Sequence, residues 1–131
     1  MNRCDIGEPM DLKGKNVYLS GPITGKLLHN APAFAEAHAM LREMGAGSIY
    51  NPSMGWLREG SEHSHEWYML RCLNSLSNGC GGRPFYDAIV LLDGYEGSVG
   101  SRVELEVAES IGVQSITMSE LRNMWGERGD D

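Results

Sequence analysis

The residues with the most chemical promise lie between Asp87 and Ala108, in the run DAIVLLDGYEGSVGSRVELEVA. Glu104 is the acid of greatest interest. A carboxylate facing a ligand crevice can act as a nucleophile. A glutamate in a first helical turn is also explained by the helix dipole, which favours negative charge there. Upstream of Glu104, Ser98 and Gly100 stand where a loop becomes a helix. A serine at that place caps the helix or meets a phosphate, because both use the same free backbone N–H groups. Asp93 falls at the ligand-facing end of a strand, whereas Asp87 reads as a residue that starts it. A second group surrounds Tyr18, which precedes the turn Ser20-Gly21-Pro22-Ile23-Thr24-Gly25. Two glycines and a proline directly after a strand make a turn whose backbone can approach a ligand. The pattern is neither a P-loop nor GxGxxG. His63 and His65 lack a companion set with metal-ligand spacing and read as exposed loop residues.

These residues need a scaffold, and the alternation of patterns supplies one. Asn16–Leu19 is a short strand. Asn30 opens a helix with Pro32 in its first turn and Phe34, Ala37, Leu41 and Met44 on one side, and Gly45 and Gly47 stop it. Ser48–Tyr50 is a second strand, ended by Asn51-Pro52. Residues 53–65, with Trp56, form a loop. Glu66–Leu76 is helical, with Met69 or Leu70, Leu73 and Leu76 toward the core. Its Trp67 and Tyr68 either pack or wall a pocket for a base. Residues 78–84 read as a flexible connection. Ala88–Leu92 is unbroken and rich in branched residues, which suits a strand buried on both faces. The next helix places Val103, Val107 and Ile111 on one side and Glu104 and Ala108 on an adjoining strip, with Glu104 in its first turn. Val113–Thr117 is a further strand, and Ser119 caps a last helix through Trp125. The order β-α-β-α-β-α-β-α predicts a single α/β domain. It is doubly wound, Rossmann-like or flavodoxin-like, with a parallel sheet of four to five strands flanked by helices. In such sheets ligands bind outside the carboxyl ends of the strands.

Composition narrows the partners. A chain of 131 residues with 41% hydrophobic and 22% charged residues suits one globular domain. The formal net charge of -7 argues against binding a nucleic-acid polymer. It leaves room for a small anion held by backbone N–H groups. The three cysteines, Cys4, Cys72 and Cys80, have no zinc spacing, so a reducing cytoplasm is the simplest setting. No apolar run has a membrane span's length. Residues 1–15 are expected to be a flexible segment, 16–126 the domain, and 127–131 a fraying tail.

Three features together resemble one family. The opening VYLSGPITG, the Asn51-Pro52 after the second strand, and Ser98, Gly100 and Glu104 in S-x-G-x-x-x-E are similar to the nucleoside 2-deoxyribosyltransferase superfamily. Its small phage and bacterial branch is nearest. That superfamily also contains the 2'-deoxynucleoside 5'-phosphate N-hydrolases. The resemblance spans about residues 16–118. It implies that Glu104 is the nucleophile, that Tyr18 orients it, and that Gly21 belongs to the loop lining the sugar or phosphate. Ser20, Ile23 and Gly25 share that loop. Ser98 matches a position that is aspartate in the nucleoside transferases and serine in the monophosphate hydrolases. A carboxylate repels a phosphate and a hydroxyl can donate to one, so the implied substrate is a nucleoside 5'-monophosphate. One position departs: in Arg71-Cys72-Leu73-Asn74-Ser75-Leu76 the family has an aspartate where Cys72 stands, which puts protonation of the leaving base in question. Asp87 and Asp93 are the alternative proton donors. The resemblance implies an N-glycosidase, with base-exchanging transferase and non-catalytic nucleotide binder as alternatives. It implies no cofactor or metal, and a homodimer or larger homo-oligomer.

Overall fold

The computed structural model describes residues 11–23, 30–54 and 64–128. Four short stretches of alternating or wholly apolar residues build the sheet. In chain order the elements are β1 (Val17–Ser20), α1 (Ala31–Glu43), β2 (Ile49–Tyr50), α2 (His65–Leu76), β3 (Gly79–Cys80), β4 (Arg83–Pro84), β5 (Ala88–Leu91), α3 (Val99–Ser110), β6 (Gln114–Thr117) and α4 (Met118–Arg128). The main sheet has the order β2-β1-β5-β6, and every pair is parallel. β1 and β5 run together over four residues, from Val17 opposite Ala88 to Ser20 opposite Leu91. The fold is the Rossmann-like α/β arrangement that the alternation predicts.

Because side chains alternate along a strand, each central strand feeds two cores. Val17, Leu19, Ala88 and Val90 meet α1 and α4 through Phe34, Leu41 and Leu121. Tyr18, Ile89 and Leu91 point the other way, toward Tyr68, Cys72, Leu76 and Ala108 of α2 and α3. Leu12 is only 1% exposed and joins the first of these cores, so ordered packing begins before residue 16. The direction in which strands are added across the sheet reverses between β1 and β5: β2 lies to one side of the pair and β6 to the other. That is the topological switch point, and the segments leaving the two carboxyl ends open a crevice there.

Several local readings change. Residues 78–84 are not a flexible connection. β3 and β4 pair antiparallel, with Cys80 opposite Arg83. The two residues between them, Gly81 and Gly82, both have positive φ, +63° and +80°, as a two-residue hairpin of the primed type demands. Asn30 sits at the start of α1 in a left-handed conformation and makes no side-chain cap bond. α2 begins at His65 and is capped by Ser64, whose hydroxyl accepts from Trp67 N. α2 turns Tyr68, Cys72 and Leu76 inward and leaves Leu70 72% exposed. α4 is capped by Thr117 and Glu120 rather than by Ser119, since each side chain accepts from the other residue's backbone N–H. α3 buries the Ser101, Glu104 and Ala108 strip, and Val103 stays on the exposed side. His38 is half-buried, with Nδ1 3.3 Å from the Asn51 amide nitrogen. Among the described residues no helix is long and apolar enough to cross a membrane. Trp56 and His63 lie outside the described residues.

Candidate active site

A cavity of about 680 Å³ occupies the crevice at the switch point. Gly21, Pro22 and Ile23, which follow β1, make one side. Tyr68, Met69 and Cys72 of α2 make another, and the opening of α3, from Ser98 to Ser101, makes the third. Gly21 is required by closeness. A Cβ there would stand 2.8 Å from Leu92 Cβ, so only glycine lets the turn after β1 hug the chain leaving β5. Glu104 reaches the cavity from the second turn of α3, being the sixth residue of the helix rather than a first-turn residue.

The carboxylate is held by β1. Tyr18 and Ser20 are two residues apart on a strand, so their side chains leave the same face. The Tyr18 hydroxyl donates to Glu104 Oε2 at 2.7 Å, and the Ser20 hydroxyl donates to Oε1 at 2.5 Å. Both oxygens are fixed, and with them the rotamer. The Tyr18 ring is in turn locked between neighbours. It stacks on Tyr50 with centroids 4.7 Å apart and planes 7° from parallel, and it meets the edge of Tyr86 at 5.5 Å. β1–β2 pairing explains the stack, since Tyr18 and Tyr50 are register partners.

Electrostatics here oppose the expectation of an easily ionised acid. Glu104 is only 6% exposed. Burial raises its pKa above the usual carboxylate value, while hydrogen bonds from Ser20, Tyr18 and Cys72 pull it back part of the way. Lying beyond the first turn, it gains little from the helix dipole, which falls off quickly. The Cys72 thiol is pushed up to about 12, first by burial and then by the charge of Glu104. Tyr18 is raised well above the ordinary phenol for the same two causes in the same order. The network has room for either state of the acid. The Tyr18 oxygen also lies 3.1 Å from the Cys72 carbonyl oxygen. When Glu104 is ionised, Tyr18 donates to it. When Glu104 is protonated, it can donate to Tyr18, whose own proton turns to that carbonyl.

Glu104, Tyr18, Ser20 and Cys72 thus come together, and Gly21, Ile23, Ser98 and Gly100 line the same cavity. Asp93 does not line it. Its Oδ2 lies 2.7 Å from Arg122 Nη2 of α4, on the exterior. Asp87 sits at the other end of β5, where its carboxylate accepts from Asn16 N. Neither aspartate is among the residues lining the cavity. Gly25 lies outside the described residues. Asn51 is buried as a turn-maker, accepting from the backbone and hydroxyl of Ser53. Ser98 Oγ accepts from Ser101 N at 3.2 Å and so caps α3. Trp67 packs beneath the Arg71 guanidinium at 5.0 Å, which leaves Tyr68 as the aromatic of that pair in the cavity wall. Sequence reasoning missed the Ser20–Glu104 bond, which the two-residue spacing from Tyr18 signals. It also missed Ser101, which sits three residues before Glu104 on one helix face.

No curated protein and no solved structure matches the chain to a significant degree. Residues 15–117, which include β1, the cavity and Glu104, match the family model described as a domain of unknown function, DUF4406, and the chain belongs to that family.

Proposed function

We propose that the protein is an N-glycosidase that cleaves the C1'–N bond of a (deoxy)nucleoside 5'-monophosphate through Glu104. The observation that carries this is one carboxylate at the floor of a ligand-sized cavity, tied at both oxygens to hydroxyls of a central strand. The resemblance to the deoxyribosyltransferase superfamily supplies the bond type. Glu104 attacks C1' in its ionised form, an ester forms as the C1'–N bond breaks, and the bonding pair leaves with the base. The base takes a proton from water or from a donor in the cavity. Water then cleaves the ester, with net retention at C1'. Tyr18 and Ser20 hold the attacking oxygens in place, and Tyr68 and Met69 offer an aromatic and a thioether surface to the base.

Cys72 favours a second reading, nucleotide binding without turnover. A thiol held at about 12 is a poor acid for a leaving base. A third outcome, base exchange, shares the glycosyl ester. One experiment separates them: incubation with each deoxynucleoside monophosphate, with and without a second free base, followed by chromatography. Release of free base is the expected result, and Glu104→Gln is expected to slow it at least about a thousand-fold. A new nucleotide only when the second base is present supports exchange. Undiminished cleavage by Glu104→Gln sinks the glycosidase. A homo-oligomer and a cytoplasmic setting belong to the same proposal, and sedimentation of the free protein tests the first.

A further inference from the structure

Ser101 is 1% exposed and lines the cavity, and among the described residues its Oγ is the buried side-chain oxygen with no hydrogen-bond partner. A buried hydroxyl without a partner is costly to keep, and alanine at this position would carry no such cost. The residue sits in the first turn of a twelve-residue helix, where backbone N–H groups lack partners within the helix and the dipole favours negative charge. Ser98 Oγ, the other hydroxyl at this end, accepts from Ser101 N as the helix cap and keeps its own proton to donate, whereas Ser101 Oγ has neither role filled. Ser101 and Glu104 lie on one face of α3, three residues and about 4.5 Å apart along the axis.

We infer that Ser101 is a hydroxyl that recognises the ligand's phosphate: Ser101 Oγ and the N–H groups opening α3 hydrogen-bond a phosphate-monoester oxygen and contribute to a preference for nucleoside 5'-monophosphates over nucleosides. The inference rests on the reading of the cavity as a nucleotide site. It does not require turnover.

The test separates binding from cleavage by using Glu104→Gln protein, with and without Ser101→Ala. Calorimetry measures binding of inorganic phosphate, of the four 2'-deoxynucleoside 5'-monophosphates and of the matching nucleosides. The expected result is a rise in monophosphate Kd of about tenfold or more on Ser101→Ala, with nucleoside Kd changed less than about threefold. In the ligand-free parent, Ser101→Ala is expected to raise Tm by about 3 °C and Ser98→Ala to lower it, because one removes an unpaired group and the other removes a cap. Equal loss for monophosphates and nucleosides places the hydroxyl on the sugar and overturns the inference. So does a Tm drop on Ser101→Ala as large as that of Ser98→Ala, or failure of Glu104→Gln protein to bind any monophosphate. Selective monophosphate binding by a parent that releases no base sinks the proposed catalysis and leaves this inference standing.

Discussion

At the scale of single residues, the site is a balance between burial and hydrogen bonding at one carboxylate. Burial raises the Glu104 pKa, and the hydroxyls of Ser20 and Tyr18 and the thiol of Cys72 lower it. In the proposed reaction the nucleophile is the ionised form, so kcat/KM is expected to climb with pH along an acid limb whose midpoint lies above the usual carboxylate value. Tyr18→Phe removes a hydrogen bond that favours the charged form. The limb should then move to higher pH, with a loss that is largest on the acid limb and shrinks as pH rises beyond it. A pH–rate profile of the two proteins checks this, and an unshifted limb refutes it. The same shift bears on stability. A group whose folded pKa is raised stabilises the fold fully below its unfolded value, 4.5 here, and that contribution is lost as pH rises through the folded value. Once pH exceeds the folded value the ionised Glu104 is therefore a burden, and there Glu104→Gln is expected to gain about 1 kcal/mol in denaturant titration. That gain should vanish near pH 4. Glu104 itself was legible from its place after a strand and a glycine-bearing loop. Its elevated pKa was not, because sequence gives no depth: the helix began at Val99, and the acid fell in the second turn, inside.

At the scale of elements, what the sequence disclosed depended on how local the signal was. Strands β1 and β5 are runs of apolar residues in which most orientations are buried, so they could be read directly. Helix faces could not. α2 offers two apolar strips, Met69 or Leu70 with Leu73 and Leu76, and Tyr68 with Cys72 and Leu76. Only packing against Tyr18 and Ala108 selects the second. α3 likewise offers Val103 and Val107 against Glu104 and Ala108, and the polar-bearing strip goes inside because Tyr18 and Ser20 satisfy its carboxylate. The hairpin at 79–84 was written in the Gly81-Gly82 pair, but two-residue strands without alternation hid it. The Thr117–Glu120 capping box was also in the sequence, masked by the neighbouring Ser119. It carries a direct prediction. Thr117→Ala removes one reciprocal bond at an exposed helix start and should cost about 1 kcal/mol in urea titration, with nucleotide binding unchanged. Gly21→Ala should act differently. Its methyl meets Leu92 at 2.8 Å, so it lowers both stability and ligand affinity by disturbing the turn that makes one cavity wall.

At the scale of the whole molecule, one sheet is shared by two cores, and that sharing ties the site to global stability. β1 presents Val17 and Leu19 to the α1–α4 layer and Tyr18 and Ser20 to the α2–α3 layer. Neither layer can loosen without moving the strand that holds Glu104. The alternation of strands and helices made this architecture readable from the chain, since a parallel sheet needs cover on both faces. The strand order β2-β1-β5-β6 then places the crevice without further information. A shared sheet predicts one cooperative transition. Leu41, on α1, and Leu76, on α2, are each fully buried in opposite layers. Leu41→Ala and Leu76→Ala should each cost about 2–5 kcal/mol, and the double variant should lose their sum to within about 0.5 kcal/mol, because the two side chains belong to separate core clusters. Trp125 packs against the first layer and Trp67 against the second, so in a Trp56→Phe background replacing either by Phe leaves the other as the single tryptophan. Urea curves from the two Trp variants and from far-UV circular dichroism are expected to superimpose after normalisation. A Trp67-weighted transition that precedes the loss of helix would mean that the α2–α3 layer opens alone. In that case Tyr18 and Glu104 would part before the sheet unfolds, and the site would be the least stable region of the protein rather than part of its single cooperative unit.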